Sequence, residues 1–440
     1  MHEPFRVMGA ESQLKLPSTL ESLSAAAVDS CSFGSGFVRP AYENFCFSRL
    51  PGFFEHTLLG STERGALPKE VLATTGHYDH VIFVFIDAFG WRSFERFRDS
   101  SLFLREIDRH GTVLKTTSQF PSTTVTHVTT GFTGLAAYEH EICGFDYYEP
   151  RLGRMIRPLR FAFSDEGPDS LRTSGLSAVE ILPQSLMIPN LQENDVSLRF
   201  LGPASFFPSS FNSSYASGSL LAGFDCFARG IESAKELAAA RPFKSFQSLY
   251  IDRYDSTCHA VGVGAPLSDK VALDILKDLE RFLRWSGLPR TLLVVSADHG
   301  HMGVDPACCL AVNTHIVPDL ASMLQRDVRG VPIRFSGGLR HLFLHPKPEC
   351  YDYLLATLRE KLAGAATVLS IPEAASAGLL GPNDVKESYK ARLGSIGILP
   401  HAGYAVLWDE PTLFKNTDVS AHGGASPDEM ETPLLLLPLG

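Results

Sequence analysis

Val81-Ile82-Phe83-Val84-Phe85-Ile86 is an unbroken apolar run that stops at Asp87-Ala88-Phe89-Gly90. With no polar residue alternating along it, the run suits a strand covered on both faces, as in a parallel sheet. Thr291-Leu292-Leu293-Val294-Val295-Ser296 repeats the pattern and stops at Asp298-His299. Phe246 to Ile251 reads as a third strand, with Asp255 and His259 behind it. Gly111 to Thr116 reads as a fourth, followed by a turn at Phe120-Pro121 and a helix from about Thr124 to Phe132. Residues 268–286 read as the clearest helix, with Val271, Ile275, Leu279, Phe282 and Leu283 on one face and Ser286-Gly287 as the stop. A further amphipathic helix is expected over 351–363, a late strand over Tyr404 to Trp408, and a buried strand over Pro433 to Pro438. Strands alternating with helices imply an α/β fold, a central mostly parallel sheet with helices on both faces. Ligands of such sheets sit at the carboxyl ends of the strands, and the polar residues named here fall at those ends.

Residues 1–78 are expected to form an N-terminal extension wrapping the core. Within it, Ser18-Thr19-Leu20-Glu21 reads as a capping box opening a short helix through Ala27, and the rest as extended chain. Residues 79–440 then make the main domain, with insertions at about 146–245 and 311–395. The first insertion reads as loops, short helices and strands laid over the core. A formal charge of −10 argues against a nucleic-acid polymer or an anionic membrane as partner. It leaves room for a small anionic substrate, because bound cations can reverse the local field. The start, Met1-His2-Glu3-Pro4-Phe5-Arg6, has no signal-peptide pattern, and no stretch nears the roughly 18 apolar residues of a membrane span. The eight cysteines include no CxxC pair, so they read as reduced thiols in the cytoplasm. Oligomeric state is not legible.

Asp87, Asp255 and Asp298 each follow a strand; His259, His299 and His422 accompany them, the last in Ala421-His422-Gly423-Gly424. Asp and His are the ligand types of catalytic zinc, and two metals about 3.5–4 Å apart can clamp both oxygens of a phosphoryl displacement. Taken singly, an Asp at a strand end is also a helix cap, and the i,i+4 pair Asp255/His259 is also a surface salt bridge. Phe120-Pro121-Ser122-Thr123-Thr124 gathers hydroxyls where a helix starts. Free N–H groups there suit a phosphate oxygen, although such residues also serve as plain N-caps.

Five blocks in this order resemble the type I phosphodiesterase/nucleotide pyrophosphatase branch of the alkaline phosphatase superfamily. They are Ile86-Asp87-Ala88-Phe89-Gly90, Phe120-Pro121-Ser122-Thr123-Thr124, Asp255-Ser256-Thr257-Cys258-His259, Ser296-Ala297-Asp298-His299-Gly300 and Ala421-His422-Gly423-Gly424. The resemblance implies an alkaline-phosphatase-like core with inserted cap elements. It implies one metal held by Asp255, His259 and His422 and another by Asp87, Asp298 and His299, with Thr124 as nucleophile and ligand between them. The expected cofactors are two divalent metal ions, Zn2+ in this family. The expected activity is hydrolysis of a phosphodiester or phosphoanhydride bond in a small phosphorylated or nucleotide-like substrate, through a phosphothreonine that water then cleaves.

The chain departs from the family pattern in places. Thr126-His127 stands where an Asn-His pair is usual, His140-Glu141-Ile142-Cys143-Gly144-Phe145 offers no phosphate-binding Asn, and Cys258 replaces a small residue. Thr123 is a rival nucleophile, and His127, His301, Arg340 and His341 are further candidates. Arg340 reads either as a phosphate clamp or as a plain surface arginine. Two alternatives stand beside the diesterase: a phosphomonoesterase of the same superfamily, and a non-catalytic zinc-bound scaffold. No Cys-x-Pro-x-Arg or Ser-x-Pro-x-Arg block is present, which excludes a sulfatase.

Overall fold

His80–Ile86 forms strand β1 of a computed structural model, and all seven of its residues are buried. Ile82, Val84 and Ile86 enter one hydrophobic core and Val81, Phe83 and Phe85 another. That two-sided burial is what an unbroken apolar run demands. The structure describes residues 17–439 except 208, 217–219, 241–242, 286–287, 289, 383 and 411–417. Further strands are β2 (Thr112–Thr117), β3 (Ser197–Pro203), β4 (Leu221–Phe224), β5 (Ser245–Ile251), β6 (Thr291–Ser296), β7 (Ser336–Gly338), β8 (His341–Leu344), β9 (Ala366–Ser370), β10 (Ile396–Pro400) and β11 (Glu431–Leu439). The central sheet has seven strands in the order β2-β11-β6-β1-β5-β3-β4. Pairing is parallel from β6 through β1, β5 and β3 to β4, whereas β11 runs antiparallel between β6 and β2.

Helices cover both faces. Leu50–Leu59, Thr124–Thr133 and Met187–Glu193 pack into the core that holds Phe83. Trp91–Phe97, Leu102–His110, Phe227–Ala240 and Pro266–Leu279 pack into the core that holds Val84. A smaller antiparallel sheet, β7-β8-β10-β9, carries its own core with the helix Tyr351–Lys361. Among the described residues no helix is long and apolar enough to cross a membrane.

Several expectations need correction. The helix expected through Ala27 is present as Pro17–Asp29, but the rest of 17–78 is not all extended: Leu50–Leu59 and Lys69–Thr75 are helical too. The Ser18 side chain, on which the capping box rests, and the stop at Ser286-Gly287 fall outside what the structure describes. The clearest helix ends at Leu279, and Phe282–Arg284 is a separate 3-10 turn. The stretch 146–245 does more than overlie the core: it contributes β3 and β4 to the central sheet and a 14-residue helix, Phe227–Ala240. The late strand at Ala405–Leu407 pairs with Cys309–Ala311, away from the central sheet.

Four buried histidines make the fold acid-sensitive. Burial lowers the imidazole pKa of His127, His341 and His345 to about 4 and of His140 to about 3. The unfolded chain takes up protons on these rings below about pH 6.5, while the native chain does not until far lower. Stability from these groups is therefore intact above about pH 6.5 and is lost as pH falls toward 4, by about 1.4 kcal/mol per ring per pH unit. Unfolding free energies from urea denaturation at about pH 7.5 and about pH 5.5 should differ by several kcal/mol; equal values would contradict this account.

Candidate active site

Strand register places the polar residues. Ser296 of β6 pairs with Phe85 of β1, so Asp298 and Asp87, two residues beyond each, leave the sheet side by side. Ile251 of β5 pairs with Ile86. The chain then enters the helix Arg253–Val261, which carries Asp255 and His259 one turn apart on the same face.

Around Asp298 the backbone is shaped for the job. Ala88 has φ of 65°, a left-handed value uncommon for a residue with a Cβ. That turn aims the Ala88 N–H at Asp298 Oδ1, 3.0 Å away, where the His299 N–H also donates at 2.9 Å. Asp298 Oδ2 is buried without a hydrogen-bond partner and lies 3.1 Å from His299 Nε2. His299 Nδ1 is 3.0 Å from the Gly300 carbonyl, so its Nε2 points into the site. Position 300 has no room for a side chain, because a Cβ there would meet the Asp428 carbonyl oxygen at 2.1 Å.

Thr124 opens the helix Thr124–Thr133. Its Oγ1 is 3.4 Å from both Asp87 carboxylate oxygens and 3.2 Å from His299 Nε2. Thr123, the rival hydroxyl, is bonded to Thr126 Oγ1 at 3.0 Å. Ser122 ties this turn to the glycine loop: its Oγ donates to the Gly424 carbonyl at 2.7 Å and accepts the Gly423 N–H at 3.2 Å.

Two donor groups result. Asp87, Asp298 and His299 form one, and Asp255, His259, His301 and His422 the other; in each, one donor atom per residue lies within 4.8 Å of the rest. The first group is wholly buried, whereas Asp255, His259 and His422 are half-buried. The groups adjoin, since the His299 and His422 rings stack with centroids 3.7 Å apart. The structure thus brings the six expected ligand residues and Thr124 to one place.

It also adds two residues. His301, weighed only as a further candidate, joins the second group. Tyr250, not anticipated at all, donates its hydroxyl to Asp87 Oδ2. The alternation His299-Gly300-His301 was the legible sign of the first; nothing marked Tyr250, an aromatic residue inside a strand.

The electrostatics ask for a cation. Burial, and then the Asp298 and Asp255 charges, hold the Asp87 carboxyl well above its ordinary range. Burial pushes Asp298 the same way but is outweighed by the His299 charge and hydrogen bond, which hold it low. At Asp255 burial is likewise outweighed, first by the His301 hydrogen bond and charge and then by the charges of His259 and His422. Three enclosed carboxylates, one with an orphaned oxygen, beside imidazoles are a donor set that fits divalent metal ions.

Other candidates lie elsewhere. His127 is scaffolding: Nε2 accepts the Gln119 N–H at 2.9 Å and Nδ1 lies 2.8 Å from the Thr123 carbonyl. Arg340 is neither a surface residue nor a phosphate clamp. It is fully buried and bidentate to Glu429 at 3.0 and 2.8 Å. His341 fills space left by glycines; a Cβ on Gly423 would meet its Nδ1 at 2.3 Å. Cys258 is buried in the core that holds Val84.

The fold is a mostly parallel sheet covered by helices on both faces, with the polar cluster at its strand ends. Residues 81–166, which include Asp87 and Thr124, match the family described as Type I phosphodiesterase / nucleotide pyrophosphatase. Among solved structures it matches murine ectonucleotide pyrophosphatase / phosphodiesterase 5 at a TM-score of 0.59 and 18% identity, over 81% of this chain and 87% of that one. The human counterpart matches at 0.58 and 17%, over the same 81% and 87%. An inactive murine form with a threonine-to-alanine substitution, in complex with AMP, matches at 0.57 and 18%, again over 81% and 87%. No curated protein matches the sequence.

Proposed function

We propose that this chain hydrolyses a phosphodiester or phosphoanhydride bond of a small nucleotide-like substrate through a covalent phosphothreonine at Thr124. Asp87, Asp298 and His299 would hold one divalent ion, Zn2+ by the donor set, and Asp255, His259 and His422 a second. The observation that carries this reading is the Thr124 hydroxyl at the start of a helix, 3.2 Å from His299 Nε2 and 3.4 Å from Asp87, beside two adjoining donor groups.

Thr124 Oγ1 attacks phosphorus as the leaving oxygen departs on the opposite side, and water then cleaves the phosphothreonine and restores the hydroxyl. Backbone N–H groups of the first helical turn receive a non-bridging oxygen. Tyr250 fixes the rotation of Asp87 through its hydrogen bond. The bound ions supply neutralisation of the developing charge and a lowered pKa for the hydroxyl and the water. A structural relative holds AMP, and a nucleoside monophosphate is the product this reading assigns.

Dialysis against a chelator should abolish turnover of bis-p-nitrophenyl phosphate, and added Zn2+ should restore it. Turnover of p-nitrophenyl phosphate alone would make the chain a monoesterase. No turnover of any ester by protein that holds zinc tightly would make it a scaffold.

A further inference from the structure

Asp418, Ser420 and His422 alternate along one extended segment and so face the same side. The segment is pinned by pairing of Ala421 with Met302 and Ser420 with Gly303, and by the Val419 N–H donating to the His259 carbonyl at 3.1 Å. Each contacts the half-buried group from behind. Asp418 Oδ2 lies 3.3 Å from His259 Nδ1, and Ser420 Oγ lies 2.7 Å from His301 Nδ1. His422 is turned by its own Nδ1, 3.0 Å from the Ser122 carbonyl. Every imidazole in the group therefore presents Nε2 toward Asp255.

The three Nε2 distances to Asp255 Oδ1 are not alike. His259 stands at 3.5 Å and His422 at 3.8 Å, whereas His301 stands at 2.8 Å. Two donors on one tetrahedral zinc, with bonds of roughly 2.0–2.1 Å, are held about 3.3 Å apart. The first two distances suit co-ligands; the third is that of a hydrogen bond.

Building on the metal-binding reading above, we infer that His301 is a positioning residue and not a ligand. Its Nε2–H donates to Asp255 Oδ1, and the Ser420 hydroxyl donates to its Nδ1. His422 carries its proton on Nδ1, given to the Ser122 carbonyl, His259 turns its Nδ1 toward the Asp418 carboxylate, and both keep Nε2 free for the cation. The alternating segment thus sets opposite tautomers on neighbouring rings, and it orients the one carboxylate of the group through His301. Such outer hydrogen bonds commonly contribute about 10- to 100-fold to metal affinity.

The test uses the full chain, stripped and titrated with Co2+ against a chromogenic chelator, with visible absorption recorded and folding checked by circular dichroism. Wild-type protein binding two Co2+ upholds the metal reading; binding none ends that reading whatever His301 does. Given two, His301→Ala should still bind two, one of them about 10- to 100-fold more weakly. His301→Gln, which keeps an N–H at similar reach, should recover most of that loss. Loss of one Co2+ in His301→Ala without rescue by His301→Gln would make His301 a ligand and overturn the inference. Unchanged affinity and spectrum in His301→Ala would overturn it too. If His301→Ala does not fold, Ser420→Ala decides: a weakened site supports the inference, and wild-type affinity defeats it.

Discussion

Thr124→Ala is expected to lower diester turnover by about 10^4-fold or more while leaving bound metal and fold intact. The size follows from the geometry, because nothing nearby replaces the lost oxygen. Thr123 is occupied with Thr126, and Ser122 with the glycine loop. Thr124→Ser, which keeps the hydroxyl, should retain measurable activity. The checks are kcat for both variants, metal content, and trapping of the phosphoenzyme at residue 124 in wild type and Thr124→Ser but not in Thr124→Ala. An alanine variant retaining more than about a tenth of wild-type kcat would mean that water attacks the ester directly or that another group does.

The largest effect on stability is expected at a residue outside the chemistry. Arg340 and Glu429 form a bidentate pair with both side chains fully buried. Glu429 also accepts the Gly424 N–H at 2.8 Å, so the pair braces the loop that carries His422. Arg340→Ala leaves a buried carboxylate uncompensated, at a cost of about 3–5 kcal/mol. Replacing both residues, Arg340→Met with Glu429→Leu, should recover much of that, since the desolvation penalty disappears with the charges. Denaturant unfolding of wild type and the two variants measures this. A single-variant loss below about 1 kcal/mol would show that water reaches the pair.

The strands buried on both faces were legible because nothing polar interrupts Val81 to Ile86 or Leu292 to Val295. β3 escaped because Ser197 and Arg199 are only half-buried and break the apolar run. β4 escaped because it is an edge strand of four residues, Leu221–Phe224, with little burial to advertise. The site was legible where ionisable residues sit directly past a strand, as at Asp87 and Asp298-His299, since sheet topology converts those positions into proximity. Tyr250 was not, because a tyrosine in a strand looks the same whether its hydroxyl meets solvent or a carboxylate. Arg340 was misjudged because its burial depends on Glu429, 89 residues away, and no local pattern encodes that partner.

The antiparallel placement of β11 bears on how the chain is made. β11 sits inside the sheet, flanked by β2 and β6, yet it is synthesised after both. A nascent chain that has emerged only as far as residue 430 carries β2 and β6 with open edges facing a vacant slot, and exposed edges of that kind invite pairing with other chains. The ribosome must deliver the final strand before the sheet can close, so assembly of the whole catalytic architecture waits on nine residues.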